Sequence, residues 1–249
     1  FSLTMLKALV FCVIGWGSNS FAETISLTGA GATFPFPLYS KWFSEFQKAH
    51  SNVQVNYQSI GSGGGIGEFS EGTLDFGATD SPMTDEQISK LTKPALHIPT
   101  VLGAVVVTYN LEGVGSGLKL KGSMVADIFL GKITQWNDPR IREINPSMKL
   151  PDLPIMVVHR SDGSGTTGIF TDYLAKVSPS WKEKVGQGTA VNWPAGLGGK
   201  GNEGVTGLVK QTPGSIGYVE LIYAENNKLA YASLENKSGA FVVPSMKSV

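Results

Sequence analysis

The sequence predicts an α/β protein of two lobes, each a mostly parallel sheet flanked by helices. Three observations lead there. Apolar, β-branched runs alternate with segments of helical spacing, which is the pattern of strands joined by crossover helices. Glycine-rich turns sit where those strands pass into helices. The chain has 249 residues, more than one typical domain needs, and no internal repeat.

In chain order, Lys7, the apolar run Ala8 to Gly17 and the small residues of Ser20-Phe21-Ala22 read as a secretory signal peptide cut after Ala22. The apolar run is too short to span a bilayer. A buried N-terminal helix is the ordinary alternative. A lipoprotein signal around Leu9-Val10-Phe11-Cys12 is another, against which the bulky Phe11 counts. Cys12 is the one cysteine, so the processed chain has no thiol or disulfide and folds on its core alone.

Pro35 to His50 carries Tyr39, Trp42, Phe43 and Phe46 at helical spacing, with prolines in the first turn where no intrahelical donor is lost. Val53 to Tyr57 alternates as a strand, followed by a loop, Gly61-Ser62-Gly63-Gly64-Gly65, and a helix through Phe69. Asp75 to Asp80 reads as a short buried strand. Ile98 to Asn110 is apolar and β-branched, long enough for a strand running through a core or passing between two cores. Residues 123–145 read as helix and loop. Pro154 to Arg160 is a strand running into Asp162-Gly163-Ser164-Gly165-Thr166-Thr167 and a helix over Ile169 to Leu174. A loop at Gly196 to Gly204, a helix at Val205 to Lys210 and a strand at Ile216 to Val219 follow.

Lys and Arg number 20, as do Asp and Glu; without Lys7, the one charge in residues 1–22, the balance is 19 against 20. That near-neutrality argues against nucleic acid or an anionic membrane as the main partner. An anion would have to be held by local geometry. Three strand-to-helix turns offer it: Ala32-Thr33-Phe34, Gly61 to Gly64, and Asp162 to Thr167. Each presents free backbone N–H groups at a helix N-terminus, where the macrodipole favours negative charge. Arg160 can add a bidentate fork, and Asp162 can hold that guanidinium in place. The pair reads equally as an ordinary surface ion pair. Asp80 would be repelled by a fully deprotonated anion, so beside a ligand it makes sense only as acceptor of the ligand's proton, which phosphate has and sulfate lacks. As a bare feature Asp80 reads equally as a strand-end cap.

These motifs, together with Leu27-Thr28-Gly29-Ala30-Gly31-Ala32-Thr33-Phe34-Pro35 and Gly196-Leu197-Gly198-Gly199-Lys200-Gly201-Asn202, resemble the periplasmic phosphate-binding proteins of bacterial high-affinity phosphate ABC transporters, from about Ile25 to about Pro244. The resemblance implies a type II periplasmic binding protein fold with the ligand cleft between lobes. It places residues 23–100 in lobe I, 101–234 in lobe II and 235–249 at the start of a crossover back. It implies inorganic phosphate held by Thr33, Phe34, Ser62, Asp80, Arg160, Ser164, Gly165 and Thr166, with Asp162 supporting Arg160. It further implies a periplasmic monomer that serves inner-membrane permease subunits, without cofactor, metal or catalysis. Members of that family usually continue past the position of Val249, and the further segment normally returns to complete lobe I; a first lobe left without it would expose an unpaired sheet edge and apolar surface.

Other chemistries fit poorly. Ser164 suggests a serine hydrolase, but Gly163-Ser164-Gly165 lacks the nucleophile-elbow spacing, and His50, His97 and His159 all precede it. His159, inside an apolar strand, reads as a packed residue. The histidines are not clustered for a metal, and Gly198-Gly199-Lys200-Gly201 lacks the phosphate-loop spacing. Within the binding class, sulfate, molybdate and tungstate are the competitors that Asp80 disfavours, whereas arsenate shares the protonation of phosphate.

Overall fold

The computed structural model describes residues 24–245 and residue 247, so the segment read as a signal peptide lies outside the described residues. The first lobe contains β1 (Ile25–Gly31), α1 (Phe36–Ala49), β2 (Val53–Ser59), α2 (Ser62–Ser70), β3 (Phe76–Ala78) and α3 (Asp85–Ser89). The second contains β4 (Val105–Tyr109), β5 (Lys119–Leu120), α4 (Gly122–Phe129), α5 (Pro139–Ile144), β6 (Met156–Arg160), α6 (Gly165–Val177) and α7 (Pro179–Lys184). It continues through β7 (Leu197–Gly199), α8 (Gly201–Gln211), β8 (Ser215–Glu220), α9 (Leu221–Asn226), β9 (Ala230–Tyr231), β10 (Ser233–Glu235) and β11 (Phe241–Val242).

The first sheet is parallel, in the order β2-β1-β3, with Gly31 opposite Ser59 on one side and Ala78 on the other. β2 alternates as its sequence demands, Val53, Val55 and Tyr57 half-buried and the glutamines and asparagine between them exposed. The aromatic stripe of α1 divides. Tyr39 is buried, its ring centroid 5.3 Å from Phe43 and 5.4 Å from Tyr57, whereas Trp42 and Phe46 lie outside the sheet-facing stripe and are 44% and 46% exposed. Among the described residues no strand pairs with the outer edge of β3, and Leu96, Ile98 and Leu102 beside it are exposed.

The second sheet runs β7-β6-β8-β4-β9 and is mixed rather than mostly parallel: β6 lies parallel to β7 and β8, while β4 is antiparallel to β8 and β9. The reason is the point of entry. The connection from the first lobe arrives beside the C-terminal end of β8, pairing Val105 with Glu220, so β4 must run away from the cleft while β6 and β8 run towards it. Both faces are covered. Val107, Tyr218, Phe129, Phe170 and Leu174 pack on one side, and Val106, Val158, Val219, Val205 and Val209 on the other. That is why these strands read as continuous apolar runs instead of alternating. Each such side chain stabilises by ~1.5–3 kcal/mol on full burial, and the first lobe's buried cluster, Ala32, Tyr39 and Ala78, is far smaller. The strand expected over Ile98 to Asn110 is paired only from Val105, its first half being the connection itself. Phe241–Val242, in the segment read as the start of a crossover, pairs with β10 in a small third sheet that also holds β5.

Candidate functional site

Parallel strands deliver their C-terminal ends, and the N-termini of the helices that follow, to one side of a sheet. Here the two sheets turn those sides towards each other. Thr33 and Phe34 lie between β1 and α1, Ser62 opens α2 after β2, and Ser164, Gly165 and Thr166 open α6 after β6. Asp80 follows β3, and Arg160 ends β6. A fourth helix, α8, brings Gly201 and Asn202 to the same place.

The lobes meet closely. Gly63 N donates to Gly163 O at 2.9 Å, and a Cβ on Gly63 would lie 3.1 Å from Gly163 Cα. A Cβ on Gly165 would lie 2.6 Å from Asp80 Cβ and 2.7 Å from Ser62 Oγ, so only glycine permits this approach. Gly165 N donates to Ser62 Oγ at 3.1 Å, and Asp80 N to the same oxygen at 3.3 Å. Both lone pairs of that hydroxyl are engaged, which leaves it to donate. Thr166 Oγ1 donates to Asp80 Oδ2 at 3.0 Å across the cleft. Ser164 caps α6 by accepting from Thr167 N at 3.0 Å, which keeps its proton available. Thr33 Oγ1 accepts from Asn202 N at 3.1 Å and Asn202 Nδ2 at 2.6 Å.

Arg160 is buried, and its fork closes on Asp162 through Nε to Oδ1 at 2.7 Å and Nη2 to Oδ2 at 2.6 Å. Its Nη1 is buried without a partner. The Arg160–Asp162 pair is therefore not the exposed surface contact that its sequence equally allows; the Arg160 side chain is 1% exposed. Burial raises the Asp162 carboxyl, but the Arg160 fork and the Gly201 N–H outweigh it and hold the group below the usual carboxylate range. Tyr218 braces both strand and helix, accepting from Arg160 N at 3.2 Å and pairing with Thr167 Oγ1 at 2.6 Å.

Asp80 behaves oppositely. Burial pushes its carboxyl up to about 6, against the Thr166 hydrogen bond and the Arg160 charge. It is thus an ionised acceptor at neutral pH, in a cleft otherwise lined with donors: Arg160 Nη1, the hydroxyls of Thr33, Ser62 and Ser164, and helix N-termini. Such a lining suits a small oxyanion that still carries a proton. Phe34 stands at the rim, its ring where a Cβ on Gly103 would sit.

Sequence reasoning missed Asn202, Tyr223, Glu203 and Glu220. Tyr223 Oη donates to Thr33 O at 2.6 Å, and Glu203 Oε1 accepts from Ser59 Oγ of the first lobe at 3.0 Å. Burial lifts the Glu220 carboxyl to about 7, with the N–H groups of Ile222, Ala104 and Leu221 pulling it down. The stretch Gly196 to Gly204, read as loop, holds β7 and the start of α8; its Gly-Lys-Gly-Asn run was the available signal for a further helix N-terminus at the cleft. His159 is half-buried, its ring stacked 4.9 Å from Trp193 and its Nδ1 3.0 Å from Arg160 O. No histidine is hydrogen-bonded to Ser164 among the described residues, nor do three or more His, Cys, Asp or Glu side chains gather as metal ligands there.

The fold and the cleft define a two-lobed solute-binding protein. The model of the PBP superfamily domain matches residues 18–249. "Phosphate-binding protein PstS" of Pasteurella multocida is 53% identical over 245 residues, covering 98% of this chain and 69% of the relative. Its namesake in Xylella fastidiosa (strain Temecula1) is 52% identical over 228 residues, covering 91% of this chain and 62% of the relative. The chain spans about two thirds of the length of these curated relatives, 69% and 62%. A crystal structure described as a putative phosphate ABC transporter substrate-binding protein with bound phosphate, from Clostridium perfringens, shares the fold with a TM-score of 0.66 at 20% identity, over 90% of this chain and 88% of that one. The chain therefore belongs to the PBP superfamily and, within it, to the PstS phosphate-binding protein family. Among the described residues no helix is long and apolar enough to cross a membrane.

Proposed function

We propose that this chain binds one inorganic phosphate in the interlobe cleft and hands it to the permease subunits of an inner-membrane ABC transporter, acting as a periplasmic monomer after cleavage at Ala22 and catalysing no reaction. Thr33, Phe34, Ser62, Asp80, Arg160, Ser164, Gly165 and Thr166 hold the anion in this reading, with Asp162 steadying Arg160. The observation that carries it is the pairing of one ionised acceptor, Asp80, with the buried and unpartnered Nη1 of Arg160 in a donor-lined cleft. Phosphate satisfies both, donating to Asp80 and accepting from Arg160. Sulfate leaves Asp80 facing an oxygen, an unpaired buried acceptor worth ~1–3 kcal/mol against it.

Calorimetry of the purified chain with phosphate is expected to show tight one-to-one binding that survives a large sulfate excess. Asp80→Asn relaxes that preference, and Arg160→Ala weakens binding itself. Equal heats for phosphate and sulfate in the unaltered chain would sink the assignment. Arsenate, with the same protons, competes with phosphate, and a chromogenic phosphate ester is not turned over.

A further inference from the structure

We infer that Asn202, on α8, is a positioning residue that sets the hydrogen-bond polarity of the cleft, making the Thr33 hydroxyl an obligate donor to the bound anion. The inference rests on the phosphate reading and adds a residue to it that does not touch the ligand. Asn202 is fully buried. Its amide has one orientation, because Oδ1 accepts from Glu220 N at 2.9 Å and the NH2 group must then face the other way. There it donates to Thr33 Oγ1 at 2.6 Å and to Thr166 Oγ1 at 3.3 Å, while the Asn202 backbone N donates to Thr33 Oγ1 at 3.1 Å.

A threonine hydroxyl has two lone pairs and one proton. Both lone pairs of Thr33 Oγ1 are filled from Asn202, so its proton can only be given away, and it has no acceptor among the described residues. At Thr166 one lone pair is filled and the proton goes to Asp80 Oδ2. A hydroxyl left free would turn a lone pair towards an anion as readily as a proton. Asn202 removes that freedom. It also ties the two lobes, since Thr33 belongs to the β1–α1 turn and Asn202 to the second lobe.

The test is a double-mutant cycle read by phosphate calorimetry. Asn202→Ala and Thr33→Val are each expected to weaken phosphate binding roughly tenfold, the worth of one donor to a charged acceptor. The double variant is expected to bind like the weaker single one, because without the hydroxyl there is no polarity to set. A purely structural role for Asn202 gives multiplied losses instead, and that outcome overturns the inference. Asn202→Asp supplies a second signature. Its carboxylate accepts from both hydroxyls and turns them from the anion, so its affinity relative to the wild type falls by roughly 100-fold at pH 8 and recovers as pH drops and the new carboxyl regains a proton. Should Asn202→Asp not fold, the Ala/Val cycle decides alone. Unchanged affinity in Asn202→Ala beside normal wild-type binding refutes this inference only. Absence of phosphate binding by the wild type overturns the phosphate reading and the role of Asn202 with it.

Discussion

Asp162→Ala removes the one ion-pair partner that the described residues give a guanidinium just 1% exposed. Both bonds of the fork are lost, at 2.7 and 2.6 Å, as is the acceptor for Gly201 N at 3.0 Å. Breaking a buried pair costs ~3–5 kcal/mol because the remaining charge stays desolvated. The Asp162 side chain keeps 13% of its exposure, so water can reach the gap. The lower figure applies, about 3 kcal/mol, which for a chain of this size lowers Tm by ~6–12 °C. Phosphate brings its own negative charge to Arg160, and the deficit shrinks in the complex. Differential scanning calorimetry of wild type and variant, without phosphate and at saturation, is therefore expected to show a wide Tm gap that narrows with ligand. An unchanged Tm without phosphate, or a gap that widens with it, refutes this account of the pair.

Gly165→Ala drives a methyl group into Asp80 and Ser62 and forces the two lobes apart at the cleft, so phosphate affinity is expected to fall by at least ~100-fold in a calorimetric titration. Tyr223→Phe deletes the 2.6 Å bond to Thr33 O and is expected to cost ~1 kcal/mol, a roughly fivefold weaker phosphate Kd by titration. The pH dependence has a definite sign. Burial raises Glu220 from 4.5 to about 7, so its contribution to stability is complete below about 4.5 and is lost as pH rises through 7. Thermal melts between pH 5 and 8 are expected to show a falling Tm, and Glu220→Gln to flatten that slope.

Much of the site was legible because it lies in short local motifs. Thr33, Ser62 and Ser164 each sit within one turn of a helix start, and glycine beside a hydroxyl marks such starts. What spans the chain was not. Asn202 meets Thr33 across 169 positions and Tyr223 meets it across 190, distances at which periodicity carries no information. Gly61 to Gly65 reads as a loop by propensity, yet α2 begins at Ser62. A Cβ on Gly65 would lie 2.5 Å from Gly31 Cα, so the helix packs directly on β1 and this contact overrides the helix-breaking tendency of glycine. The Ile98 to Asn110 run leaves two readings open because β-branched residues suit any extended backbone: it pairs as a strand only from Val105, and the part before that is the lobe-to-lobe connection.

The pH dependence of sulfate binding tests the acceptor role of Asp80 most directly, because sulfate brings no proton at neutral pH and can bind well only when Asp80 has taken one up. With that carboxyl pushed up to about 6, sulfate affinity is expected to rise close to tenfold per pH unit as pH falls from 8, to level off below about 6, and to lose this dependence in Asp80→Asn. Sulfate affinity that is flat across this range in the wild type, or that keeps its slope in Asp80→Asn, would contradict the account.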